Sequence, residues 1–253
     1  MVETLGFRLK ARNLLFANPL LNALPIHRVF HTPVTENHVL VDRLQDPRAL
    51  MTIGGRESKF VSMVGRNEES VAELLDSLER GKEYRFHAID SCTADLVRES
   101  FDVLRDNPSW FYILERKDFV GEVRHEVSAL VPEDAETIDQ YWNPGEDTAS
   151  YVRSRIEDGP AFGIRVDGEL VAWDATHLET DEAVMLGFLY VKEEHRHRGF
   201  AKSMAAKMIG RVFEKGKTPV CHIFTDNEPA IRLTEEMGFR RRGEQVWLRA
   251  VKP

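Results

Sequence analysis

Cysteine is nearly absent from this chain: 253 residues carry only Cys92 and Cys221, far apart. Two distant thiols exclude a disulfide framework and fit a reducing compartment, so a cytoplasmic location is expected. Long hydrophobic runs are lacking too. The nearest candidate, Leu14 to Leu24, is broken by Asn18, Pro19 and Asn22 and is too short to cross a bilayer, so no membrane association is expected. There is no basic excess. The net charge of −8 divides into −3 over residues 1–122 (16 basic, 19 acidic) and −5 over residues 123–253 (18 basic, 23 acidic). Neither half is suited to a polyphosphate backbone, which argues against nucleic acid as a partner. No glycine precedes the Gly199 region at P-loop spacing, and the one Gly-Lys-Thr, Gly216-Lys217-Thr218, has Arg211 where the motif needs its first glycine, which argues against a P-loop.

What remains is globular in composition, 42% hydrophobic and 30% charged. In the first half, Val39–Val41, Ala49–Ile53 and Phe60–Val64 read as short strands. Asn67 then opens a helix carrying Val71, Leu74, Leu75 and Leu78 on one face, with Gly81 beyond its end. Tyr84–Ile89 is strand-like, Leu96, Val97, Phe101 and Leu104 mark a second helix, and Trp110–Leu114 a closing strand. Asp118 to Glu122 forms a joint, predicting domains at 1–122 and 123–253. The second half repeats the rhythm. Val123–Leu130 is strand-like, Pro132-Glu133-Asp134 starts a helix, and Asp147 caps another carrying Val152 and Ile156. Asp167-Gly168 predicts a hairpin between Ala161–Val166 and Leu170–Ala175. Val184–Val191 has no charge and reads as a strand buried on both faces. Ala201, Met204, Ala205, Met208, Ile209, Val212 and Phe213 form an unbroken helical stripe closed by Gly216. Val220–Phe224 is a further strand, a helix with Pro229 in its first turn and Gly238 past its end follows, and Phe239 to Val251 is expected as two short strands turning at Gly243-Glu244.

The segment Leu189 to Ala201 carries the chemistry. A buried strand ends, a polar loop with one glycine follows, and an amphipathic helix starts. The first N–H groups of that helix have no helical acceptor, and their dipoles favour an anion. Gly199 allows close approach of a phosphate, and Arg196 and Arg198 add positive charge, so a pyrophosphate is a natural occupant. A solvated turn with incidental basic residues is the alternative. His195 and His197 lie two apart without nearby ligands at metal-binding spacing, so no metal is expected.

Arg196-His197-Arg198-Gly199-Phe200-Ala201 resembles the Arg/Gln-x-x-Gly-x-Gly/Ala motif of Gcn5-related (GNAT-fold) N-acetyltransferases. Leu189-Tyr190-Val191 looks like the strand that pairs with pantetheine in that family, and Asp226-Asn227-Glu228-Pro229-Ala230 with Met237-Gly238-Phe239 resembles its second motif. The likeness covers about residues 126–250. Within the superfamily the chain is most similar to the glycine N-acyltransferase-like group, through Trp142, Ser150, Ile156, Pro160, Phe162-Gly163 and Leu170-Val171-Ala172-Trp173. The N-terminal half echoes that group only at Asn18-Pro19 and Val41-Asp42.

The resemblance implies an α/β (α+β) fold with a mixed, mostly antiparallel sheet, in which a complete C-terminal GNAT domain follows a degenerate N-terminal one. It implies acetyl-CoA or another acyl-CoA as cosubstrate and an amine, a small molecule or amino acid, as acceptor. Leu189, Tyr190 and Val191 would pair with pantetheine, Arg196, His197, Arg198, Gly199, Phe200, Ala201 and Lys202 would hold the pyrophosphate, and Asn227 would brace the arm, although Asn227 also reads as a plain helix cap. The N-terminal half has no such loop, is expected to bind no cofactor, and would shape the acceptor side or a homodimer contact.

Two departures from the family's pattern bear on catalysis. Thr234 stands where many relatives carry a tyrosine proton donor, and Met185 stands where glycine N-acyltransferases are expected to carry a glutamate base. Glu182 is the first candidate base, with Asp174 and His177 in reserve. Cys221 reads as a core residue rather than a nucleophile, and Trp142, Trp173 and Tyr190 as lining of an acceptor pocket or as core. The rival readings are a non-catalytic acyl-CoA sensor and an acetyltransferase of protein lysines or N-termini.

Overall fold

The computed structural model describes residues 3–4, 11–32, 37–55, 59–142 and 148–253. They form two compact units that are not continuous in sequence. One comprises Met1–Phe111, Ile223–Asn227 and Arg242–Pro253, the other Tyr112–His222 and Glu228–Arg241.

The first unit contains β1 (Glu3–Thr4), α1 (Arg12–Leu15), α2 (Ala23–Phe30), β2 (Asn37–Val41), β3 (Ala49–Gly54), β4 (Lys59–Gly65), α3 (Glu68–Asp76), β5 (Glu83–Ile89), α4 (Ser91–Ser100) and most of β6 (Asp102–Ile113). Strands β1 to β4 are antiparallel neighbours, and β5 runs parallel to β4. Local chemistry fixes the helix starts. The Asn67 side chain accepts the Ser70 N–H at 2.9 Å, and Asp90 accepts those of Thr93, backbone at 2.8 Å and hydroxyl at 3.1 Å. Met51, Val61, Leu74, Leu75, Phe86 and Val97 close the core beneath α3 and α4, while Leu15, Ile26, Val29 and Leu50 close the other face under α1 and α2.

The second unit repeats this order with β7 (Ser128–Ala129), α5 (Ala135–Trp142), α6 (Ala149–Asp158), β8 (Ala161–Val166), β9 (Glu169–Glu179), β10 (Ala183–Val191), α7 (Phe200–Glu214), most of β11 (Thr218–Phe224) and α8 (Glu228–Glu236). Strands β7 to β10 are antiparallel neighbours, and β11 is parallel to β10. The β8–β9 turn has Asp167 at φ 51° and Gly168 at φ 83°, the left-handed pair that a two-residue hairpin needs. The final strand β12 (Arg240–Val251) lies antiparallel to β5 over Val246 to Val251, inside the first unit.

Four expectations need correction or limitation. Helix α4 ends at Ser100, where Phe101 turns extended (φ −131°, ψ 152°), so Leu104 lies in β6 and is exposed. Of Val123–Leu130 only Ser128–Ala129 joins the sheet, because the Arg124 N–H donates to the Ser203 hydroxyl on α7 at 3.0 Å and holds the chain away from β8. The C-terminal stretch is one strand rather than two: Gly243 does not take up the left-handed φ of a turn glycine. Asp147 lies outside the described residues; α6 starts after Thr148, whose hydroxyl donates to Asp139. Among the described residues no helix is long and apolar enough to cross a membrane.

Candidate active site

The site begins with a break in β10. Its ladder with β11 joins Ala183, Val184 and Met185 to Thr218, Pro219 and Val220 and stops there, although β10 continues to Val191. On its other side β10 stays paired with β9, but the register slips between Gly187 (opposite Ala175) and Tyr190 (opposite Trp173). One extra residue is accommodated on β10, and Phe188 takes φ 62° to do it. A left-handed conformation at an aromatic residue is costly, and its persistence here marks a position fixed by its surroundings. The consequence differs from the expected strand buried on both faces. Val184, Met185 and Phe188 are buried, while Leu186, Gly187, Leu189, Tyr190 and Val191 are only half-buried along the edge that β11 has left.

Helix α7 starts beside this opening. Its cap is Gly199 at φ 82°, ψ 5°, with no side-chain hydrogen bond to the helix start and no acidic residue in the first turn. Its first turn therefore presents backbone N–H groups of the Gly199–Lys202 segment outward. His197 (φ 63°) and Gly199 are both left-handed, which curls the loop around that start. Arg196, His197, Arg198 and Lys202 are exposed. Arg196 donates from Nε to the Val191 carbonyl at 3.2 Å, tying the loop to the end of β10, and Lys202 pairs with Glu236 on α8 at 2.6 Å. Phe200 is buried under the His125 ring, 4.8 Å between centroids. Asn227 directly precedes α8 and is exposed; it belongs to the other compact unit.

The candidate bases separate. Glu182 lies in the turn before β10, its carbonyl accepting the Thr218 N–H at 2.9 Å at the paired end of the strands. It stands five residues, about 16 Å of extended chain, from Gly187 and does not reach the opening. Asp174 and His177 sit on β9 but alternate to opposite faces. Asp174 is buried on the α7 side, its Oδ1 has no hydrogen-bond partner, and burial pushes its carboxyl well above the usual range. The buried Cys221 thiol is likewise pushed up by burial, with Asp174 adding to the effect. His177 faces α5 and α6. Its ring lies so close over Gly187 that a Cβ there would stand 2.1 Å from Nε2, and its Nδ1 is 3.2 Å from the Tyr151 hydroxyl. Burial, with His222 and Arg155 nearby, depresses its imidazole to about 4, so the ring is neutral at physiological pH. Thr234 is buried in α8.

Around His177 lies an aromatic cluster. Phe188 packs at 4.4 Å from Trp142, 4.5 Å from His177 and 5.8 Å from Tyr151, and Trp173 stacks on Tyr190 at 4.9 Å with Tyr141 5.5 Å from each. Trp142, Trp173 and Tyr190, anticipated from the sequence, are therefore together. Tyr141, Tyr151, Phe188, His125 and His222 were not anticipated. The one available signal was Gly187, since glycine inside a strand marks a bulge or a close approach.

This geometry, a bulged strand splayed from its parallel neighbour and followed by a glycine-capped helix, is that of the GNAT fold, here in tandem. Residues 162–248 match the family model described as FR47-like protein. No curated protein matches the sequence. Among solved structures, a Drosophila protein aligns over 99% of this chain and 98% of its own at 18% identity and a TM-score of 0.78. An acetyltransferase of the GNAT family from Colwellia psychrerythraea aligns over 100% of both chains at 13% identity and a TM-score of 0.64. A tandem GNAT protein of the clavulanic acid biosynthesis pathway aligns over 100% of this chain and 99% of its own at 11% identity and a TM-score of 0.64.

Proposed function

We propose that the chain is an N-acyltransferase that moves an acetyl or other acyl group from its coenzyme A thioester to a small amine, with the second unit, broadly the C-terminal half 123–253, as the catalytic part. The observation that carries this reading is the left-handed Gly199 start of α7, which has no side-chain cap, beside the splayed end of β10. Backbone N–H groups at that start, with Arg196, His197 and Arg198, suit the pyrophosphate of the coenzyme. The released edge of Leu189, Tyr190 and Val191 suits the pantetheine amides as an added strand. Lys202 would have to give up Glu236 to join them. The likeness to the glycine N-acyltransferase-like group supports a small acceptor.

The reaction needs no covalent enzyme intermediate. The amine nitrogen bonds to the thioester carbon, the C–S pair leaves on sulfur, and the proton lost by nitrogen ends on that thiolate. Backbone N–H groups at the bulge would stabilise the oxyanion. Neutral His177, over Gly187, is better placed than Glu182 to accept the amine proton, and Asp174, whose carboxyl burial pushes well above the usual range, lies on the α7 side of the same strands. Thr234 and Met185, where proton-transfer groups are expected, favour a second reading, an acyl-CoA sensor without turnover. Release of free thiol from acetyl-CoA with a broad panel of amines decides between them. Calorimetric binding of coenzyme A with thiol release supports the enzyme, binding without release supports the sensor, and absence of binding to folded protein refutes both.

A further inference from the structure

The aromatic cluster that faces α5 and α6 bears on the acceptor, resting on the acyltransferase reading above. Trp142, Tyr141 and Tyr151 are 36%, 41% and 39% exposed although each packs on another aromatic ring. They stand around a floor of Phe188, Trp173 and Tyr190, next to the His177 ring over Gly187. Three half-open aromatic side chains concentrated at one place mark a candidate recognition surface, where a single exposed ring such as Phe224 does not.

The charged groups nearby are engaged. Arg155 donates to the Asp158 carboxylate at 2.6 Å and to the His177 carbonyl at 3.1 Å, Arg153 pairs with Glu136, and Lys192, whose Nζ lies 5.3 Å from the Tyr141 ring centre, holds Glu169 at 2.6 Å. Among the described residues, each cation on α5, α6 and the end of β10 that borders the cluster thus already has a carboxylate; Arg196, 5.8 Å from the Tyr190 ring centre, donates to the Val191 carbonyl, stands 3.9 Å from Glu193, and belongs to the loop assigned to the pyrophosphate. His177 is neutral at physiological pH and does not repel an ammonium. A zwitterionic acceptor would bring its carboxylate to a surface whose cations are taken, whereas an amine on an aromatic body would stack on the rings and present nitrogen to His177.

We infer that the acceptor is a primary amine carried on an aromatic or comparably broad apolar body and lacking a carboxylate. Trp142 and Tyr151 act as the specificity-determining residues.

The test uses the full chain with acetyl-CoA and a matched set of acceptors: 2-phenylethylamine, tryptamine, butylamine, glycine and phenylalanine, read by thiol release. The expected result is kcat/KM at least tenfold higher for the two aromatic amines than for glycine and phenylalanine, with butylamine between. Trp142→Ala should raise KM for the aromatic amines about tenfold and leave KM for acetyl-CoA unchanged. Trp142→Phe, which keeps a ring, should recover most of that loss. A preference for glycine or phenylalanine, or an equal effect of Trp142→Ala on butylamine and phenylethylamine, overturns the inference. Coenzyme A binding, measured separately by calorimetry, distinguishes the levels. Binding with the wrong acceptor preference removes only this inference, and loss of binding in the parent protein removes the acyltransferase reading with it.

Discussion

Gly199→Ala separates a helix start that holds a phosphate from one that merely turns. Gly199 sits at φ 82°, and an L-residue held in the left-handed region costs about 1–2 kcal/mol. A Cβ at this position would meet only His125 Nε2, at 3.4 Å, an ordinary contact, so the cost is one of backbone conformation and not of collision. For a chain of this length that corresponds to a fall in Tm of about 2–8 °C. The effect on coenzyme binding has a different origin. Either the alanine stays left-handed and its methyl group stands at the face where a phosphate would approach, or the backbone relaxes and the first N–H groups of α7 turn away. Both outcomes should weaken coenzyme A by at least tenfold, about 1.4 kcal/mol. Gly210→Ala provides the control on the same helix. Its Cβ would have nothing within 4 Å, and alanine in a helix interior gains about 0.5–1 kcal/mol, so Tm should rise while affinity stays constant. Calorimetric titration with coenzyme A and thermal unfolding of the three proteins supply the data. If Gly199→Ala lowers Tm but binds coenzyme A as tightly as the parent, the helix start does not grip the diphosphate and the reasoning fails.

Three further outcomes are expected. The folded His177 ring resists a proton that the unfolded chain accepts, so stability should fall as pH drops from about 6.5 towards 4. The loss should be on the order of 2 kcal/mol after allowing for the ring's partial contact with water, and His177→Gln should flatten that stretch of the pH–Tm curve; Tyr151 and Arg155 from α6 and His222 from β11 remain in place. Asp174 behaves in the opposite sense: its raised folded pKa contributes stability at acid pH that is lost as pH rises through that value, so Asp174→Asn should unfold at or above the parent Tm at pH 8, and a marked decrease there would refute a neutral buried acid. Asn67→Ala removes the cap of α3 and should cost about 1 kcal/mol, roughly 2–4 °C in Tm, with coenzyme A affinity unaltered; altered affinity would place the coenzyme in the first unit.

Features written in local chemistry are legible in the amino-acid sequence itself. The Asp167-Gly168 hairpin follows from two adjacent residues that tolerate positive φ, the Asn67 cap from an amide three residues before an N–H, and α7 from a stripe repeated over several turns. The features that are not legible depend on contacts between distant segments. Phe188 takes its left-handed φ from the mismatch of β10 with β9, and nothing in Leu186 to Tyr190 encodes that apart from Gly187. Val123–Leu130 reads as strand-like, but the Ser203 hydroxyl, 79 residues on, accepts the Arg124 N–H and draws that end to α7. Glu182 is a carboxylate near the expected position of a base, and proximity in sequence does not become proximity to the opening. The aromatic cluster draws on α5, α6, β9 and β10, and no periodicity links Tyr141, Tyr151 and Phe188.

The two units share an order of elements and differ at the place where the second carries the proposed coenzyme site. In the first unit the helix after the fourth strand is capped by its own Asn67 side chain, and Glu68 and Glu69 occupy its first turn. The positive end of the helix is already compensated there, so an external anion would meet negative charge. The register of β3 with β4 runs without a slip from Ala49 to Gly54, so β4 has no bulge to turn its backbone outward. The space beside Gly65 is taken by Val71, whose Cγ2 would lie 2.1 Å from an added Cβ. In the second unit each of these stabilising devices is missing: Gly199 leaves the helix start without a side-chain cap, the first turn carries Lys202 instead of acids, and β10 is bulged. The fold alone therefore does not confer an anion site. It supplies a strand and a helix meeting at an angle, and the side chains decide whether the exposed N–H groups are satisfied from within, which stabilises the unit, or left for a ligand, which transfers that stabilisation to the bound state.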